Sequence, residues 1–135
     1  MAVSSSESGA PRAGALALVA DLIFASRVRA AAAAVGVPVR TVSSAAALLR
    51  EARSGKAGVI LIDLEARGVD APRLIAELKA DPELAETPLI AFGAHVRGEA
   101  LRAAQAAGAD RVLARSAFVR ALPTILAGAG AGEDG

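Results

Sequence analysis

Cysteine is absent from the 135 residues, which excludes disulfides, thiolate nucleophiles and cysteine-based zinc sites. Tyrosine and tryptophan are absent too, and the only aromatic residues are Phe24, Phe92 and Phe118. A core must therefore be built mainly from Ala, Val, Leu and Ile, and little is left for stacking on bases. The single histidine, His95, rules out a histidine-rich metal site. The formal net charge is +1, so no basic footprint points to nucleic acid. No apolar run is long enough to span a membrane, because LALVA is cut by Asp21 and VILIDL by Asp63. Only Arg12 precedes the first apolar run, so no signal peptide is expected and a cytoplasmic location is the default expectation. There is no GxGxxG run, no P-loop signature, and no serine placed to complete a Ser-His-Asp set with His95.

What is present is an apolar chain, 54% AVILMFWYC, well above the level at which chains stay disordered. Residues 1–14, rich in Ser, Gly and Pro, read as a flexible lead-in, and residues 128–135 as a flexible tail. Between them, 15–127 reads as one domain of alternating short apolar runs and helical segments. Apolar runs fall at 15–20, 37–42, 59–64, 89–92 and 112–114. The segment 24–35 is Ala-rich and periodic, with Gly36 as its stop. Ser43 and Ser44 can cap a helix reaching Arg53, and Asp70 with Pro72 opens another ending near Ala80. Gly98–Ala107 is helical and Gly108 ends it. Leu122–Leu126 is expected to begin a short last helix, with Pro123 in its first turn.

Five strand–helix units with nearly unbroken apolar strands argue a parallel sheet covered on both faces. In such sheets ligands bind beyond the C-terminal strand ends. Asp21, Asp63, Gly93 and Arg115 all fall there. Two carboxylates, Asp21 and Asp63, could share a Mg²⁺ ion, with the backbone carbonyl near Glu65 as a third ligand. An Asp can also accept a phosphoryl group, given positive charge nearby, which Arg115 could supply. Equally, acids at strand ends are common because a strand end meets water. Arg115 then reads either as a structural partner of Asp63 or Asp21, or as an anion-binding group.

The segments LVAD (18–21), VILIDLEARG (59–68), PLIAFGA (88–94) and AGADRVLARS (107–116) resemble the receiver domain of bacterial two-component response regulators. The resemblance covers nearly all of 15–127. It implies a doubly wound, five-stranded flavodoxin-like fold with strand order 2-1-3-4-5. It also implies phosphoryl transfer to the acid matching Asp63 with Mg²⁺, and docking or dimerisation through the fourth-helix, fifth-strand, fifth-helix face. The pattern is incomplete, however. Where the family has an acid pair, this chain has Ala20-Asp21. Where it has a Thr or Ser switch, Gly93 has no hydroxyl. Its lysine is matched only approximately by Arg115, followed by Ser116 rather than Pro, and its fifth-strand aromatic is Val112.

The chain is therefore identified as a divergent, pseudo-receiver-like member that signals mainly through protein–protein contact, with aspartyl phosphorylation impaired or absent. It requires no cofactor, and its residues would form at most a weak Mg²⁺ site. Two alternatives stand beside this reading: a phosphoacceptor receiver working through Asp63, and a small α/β ligand-binding or hydrolytic protein. The expected partner is a protein or a second copy, met through Arg102, Arg111, Val112 and Phe118. Phe118 anchors that surface if exposed and pins the last helix if buried. His95 is either a neighbour of the site or a loop histidine facing water. No output domain follows residue 127, so output is expected to pass through a partner.

Overall fold

The computed structural model describes residues 14–55, 57–94 and 98–131. Among them strands and helices alternate: β1 (Ala15–Leu18), α1 (Leu22–Ala34), β2 (Val39–Val42), α2 (Ala45–Ser54), β3 (Val59–Asp63), α3 (Ala71–Ala80), β4 (Leu89–Gly93), α4 (Glu99–Ala107), β5 (Arg111–Ala114) and α5 (Arg115–Ala131). The strands pair in parallel in the order β2-β1-β3-β4-β5, a doubly wound sheet of the flavodoxin type.

Side-chain alternation along each strand divides the apolar residues between two layers. Ala15, Ala17, Val59, Leu61, Ile90 and Phe92 face α1 and α5. Leu16, Leu18, Ile60, Ile62, Leu89 and Ala91 face α2, α3 and α4. The central strands β1, β3 and β4 are buried along their whole length, which is why their sequences carry no polar alternation. The Ala-rich α1 buries Phe24, Ala25, Val28 and Ala32, so small side chains set its close seat on the sheet.

Local chemistry fixes the helix starts. Asp21 Oδ1 accepts the N–H groups of Ile23 and Phe24 at 2.9 and 3.3 Å. Ser44 Oγ accepts Ala47 N–H, and Asp70 Oδ1 accepts Arg73 N–H with Pro72 in the same first turn. Gly108 ends α4 with φ of 119°, a conformation that side chains disfavour. The AGAD run has a bracing role. Asp110 Oδ2 accepts both Lys79 Nζ and Leu89 N–H at 2.8 Å, and Lys79 also donates to the carbonyls of Ala85 and Thr87. This ties α3 and the entries of β4 and β5 together at the end of the sheet remote from Asp63.

The last helix corrects the sequence expectation. It starts at Arg115 directly after β5 and runs to Ala131, past residue 127, with Pro123 inside it rather than in its first turn. Pro123 offers no N–H to the turn before it, a local cost of about 3 kcal/mol in an isolated helix. Burial of Phe118, Leu122, Ile125, Leu126 and Ala129 on both sides of the proline offsets that cost. The end of α5 lies so close to the start of β3 that a Cβ on Gly58 would stand 2.5 Å from the Ala129 carbonyl oxygen. That contact is with backbone, which cannot rotate away. Gly58→Ala is therefore expected to destabilise the protein by about 1–3 kcal/mol in guanidinium unfolding. An unchanged midpoint would show that α5 does not sit on β3 in this way.

Candidate functional site at the C-terminal edge of the sheet

Asp63 is the last residue of β3 and is only 3% exposed, the one polar or charged residue among the buried set of described residues. Such a carboxylate needs partners. Its Oδ1 accepts Glu65 N–H at 2.9 Å. The second partner is Arg115, whose Nη2 lies 3.6 Å from that same Oδ1, an ion pair rather than a hydrogen bond. Because α5 follows β5 without a loop, Arg115 is delivered to this edge by the strand itself.

Arg115 is held from behind by aromatic rings. Its Cζ stands 4.6 Å from the centroid of Phe24 and 5.6 Å from that of Phe92. Phe92 and Phe118 stack at 4.0 Å with 9° between their planes, and Phe24 packs against both. All three aromatic residues of the chain thus form one platform under one guanidinium. A cation on an aromatic face gains about 0.5–2 kcal/mol, more as it is desolvated.

Glu65 completes the rim. Its Oε1 lies 3.6 Å from Arg115 Nη2, and its Oε2 accepts Ala94 N–H at 2.9 Å. The expected use of Glu65 was its backbone carbonyl; its side chain, which bridges the loops after β3 and β4, was not anticipated. The only sequence signal was an acid two residues beyond Asp63.

The other anticipated residues fall as follows. Asp21 shares the edge with Asp63, close enough that its charge raises the Asp63 pKa, but it is exposed and caps α1. Gly93 pairs with Ala114 at the ends of β4 and β5. Its φ is not positive, so the backbone does not demand glycine. An added Cβ would lie 3.0 Å from Leu101 Cδ1, the end of a side chain that would have to shift, and 3.6 Å from Leu64 Cβ, an ordinary packing distance. His95, like Arg97, lies outside the described residues. Arg102 and Arg111 are exposed, whereas Val112 is partly buried against the core. Phe118 is fully buried, which corrects its assignment to a partner surface: it is spent on the platform beneath Arg115. Leu22 and Ile23, 80% and 78% exposed just after Asp21, form an apolar pair the sequence reading passed over.

A divalent cation does not suit this donor set. No group of three or more His, Cys, Asp or Glu side chains that could hold one occurs among the described residues. The Asp21 oxygen that caps α1 is committed to two N–H groups, and Asp63 already faces a guanidinium that would repel a second cation.

The Asp63 pKa is raised above 3.8. Burial is the largest cause, and the charges of Glu65 and Asp21 add to it; the Glu65 N–H and Arg115 oppose it without cancelling it. A carboxyl whose folded pKa is raised favours the protonated form in the native state, so its ionisation costs stability above the folded pKa. That cost is relieved as pH falls through the folded value toward 3.8. Asp63→Asn is expected to stabilise the protein at neutral pH by roughly 1 kcal/mol, with the gain shrinking as the pH is lowered. Chemical denaturation across a pH series measures it; a loss of stability at neutral pH would mean that the Arg115 pair outweighs desolvation.

No protein-family model matches the sequence, and no curated protein sequence matches it. Solved structures do. The phosphorylated cyanobacterial phytochrome response regulator RcpA is 25% identical, with a TM-score of 0.68 over 86% of this chain and 90% of its own. The chemotaxis response regulator CheY4 of Vibrio cholerae is 18% identical, with a TM-score of 0.74 over 84% of this chain and 98% of its own. The receiver domain of a Pseudomonas aeruginosa sensor histidine kinase, which coordinates magnesium in its active-site cleft, is 20% identical, with a TM-score of 0.71 over 84% and 98%. With the sheet order and crossovers described above, these similarities give the chain a receiver-domain fold, related to that of response regulators.

Proposed function

We propose that this chain is a divergent receiver-type signalling domain that acts through protein–protein contact, with phosphorylation of Asp63 impaired or absent. The observation that carries the reading is the Arg115 ion pair. The guanidinium is seated on Phe24 and Phe92 and faces Asp63. Phosphoryl transfer to a carboxylate needs positive charge on the transferred oxygens, from metal, Lys or Arg. Among the described residues the metal donor set is poor, and Arg115 is shared between two carboxylates.

A conformational response would also need contacts that differ between two states. Gly93 carries no hydroxyl, and Leu101 and Leu64 occupy the space beside it. Added phosphate would have nothing at that position to draw inward. Contact surface is available elsewhere. Leu22 and Ile23 present apolar area next to the rim, and Arg102 and Arg111 present charge on the α4–β5–α5 side. A protein partner or a second copy of the chain fits these surfaces.

Treatment with acetyl phosphate and Mg²⁺ is expected to leave the intact mass unchanged, and beryllium fluoride with Mg²⁺ to leave the amide NMR spectrum of α4, β5 and α5 unchanged. A phosphoryl increment that Asp63→Asn abolishes would overturn this reading in favour of a working phosphoacceptor.

A further inference from the structure

On one side the sheet ends at β2, which pairs only with β1 among the described residues. That ladder decides which backbone groups of β2 are already used. Leu16 lies opposite Arg40, and Ala15 N–H and Val19 N–H donate to the carbonyls of Pro38 and Val42, each at 3.0 Å. Pro38, Arg40 and Val42 therefore turn their backbone toward β1. Alternate residues of a strand turn theirs to opposite sides, so the N–H and C=O groups of Val39 and Thr41 point away from the sheet. Among the described residues no hydrogen bond reaches these four groups. The two faces of this edge differ in charge. On the α1 face, Arg29 donates to Thr41 Oγ1 at 3.1 Å and to Ser26 Oγ at 3.4 Å. Both acceptors are neutral hydroxyls, and no carboxylate of the described residues pairs with Arg29. On the α2 face, Arg40 is already neutralised by Glu51.

We propose that the β2 edge docks an extended acidic segment of a partner protein, which adds a strand to the sheet beside Val39 and Thr41 and places a carboxylate on Arg29. Backbone hydrogen bonds to the outward groups supply the pairing, and the side chains of the added strand supply the selectivity. A residue set beside Thr41 projects to the same face, with neighbouring Cβ atoms about 5 Å apart. A carboxylate there lies within reach of Arg29, whose five N–H donors exceed its two present bonds. The strand is short, Val39–Val42, so the added ladder is short as well. A second copy of the chain is the poorer occupant. Two β2 edges joined about a twofold axis would set both Arg29 groups on one face of a continuous sheet, like charge toward like charge. The inference gives a surface and a partner chemistry to the contact-mediated role proposed above, and it does not involve Asp63.

The test is an amide NMR titration of the full chain with a capped hexapeptide of alternating valine and threonine carrying one central glutamate, and with its lysine counterpart. The glutamate peptide is expected to give saturable shifts centred on Val39 and Thr41 and slower hydrogen exchange at those two amides. The lysine peptide is expected to bind more weakly. Arg29→Gln is expected to weaken the glutamate peptide about fivefold, and Arg29→Glu to reverse the preference between the two peptides. Thr41→Pro removes an outward N–H while leaving the ladder to β1 intact, and is expected to abolish binding; the Arg29 variants carry the test if that protein folds poorly. No saturable shift with either peptide, shifts centred away from β2, equal affinity for both peptides, or a peptide-free dimer in sedimentation that Thr41→Pro dissociates would overturn the inference. No phosphoryl donor is present, so the result stands apart from whether Asp63 can be phosphorylated.

Discussion

A carboxylate buried at the end of a central strand is the constraint around which this molecule is arranged. Asp63 cannot be left ionised and alone at 3% exposure. The fold answers with one N–H from Glu65 and one guanidinium from the end of β5, two strands away. For Arg115 to serve, β5 must pass straight into α5, and the aromatic residues of the chain must gather beneath it. The long, proline-interrupted α5 and its tight approach to β3 hold that junction in place. The partner of a single acid thus shapes a large part of one face of the domain.

Arginine at this position differs from lysine in ways that matter. Its Cζ sits over the Phe24 ring while its Nη2 faces Asp63 and Glu65 together. A flexible ammonium has no comparable preference for an aromatic face and could follow a moving anion more freely. Among the described residues the charged groups of the rim face one another: Arg115 lies between Asp63 and Glu65, and Glu65 also accepts the Ala94 N–H.

Much of the frame was legible in the sequence. Runs such as VILID and LIAF, with no polar alternation, announced buried parallel strands, and the caps Ser44 and Asp70 lie where their residue types suggested. The shared edge of Asp21, Asp63, Gly93 and Arg115 followed from strand ends alone. What stayed hidden involved contacts between distant residues. Pro123 looked like a helix start because local propensity cannot see Leu122, Ile125 and Leu126 packing on either side of it. Phe118 could anchor a surface or, the commoner case, pin the last helix, and its stacking on Phe92 decides for the core. The Glu65 side chain gave no sign of its reach to Ala94, 29 residues away in the chain, because a charged residue in a loop normally faces water.

The aromatic platform has an optical consequence. With no tyrosine or tryptophan in the chain, aromatic ellipticity in the near ultraviolet can arise only from Phe24, Phe92 and Phe118. These rings are mutually packed and carry Arg115, so the vibronic bands of phenylalanine become a label-free gauge of this one cluster. The molecule reports spectroscopically on its own ion pair, against a background dark everywhere else.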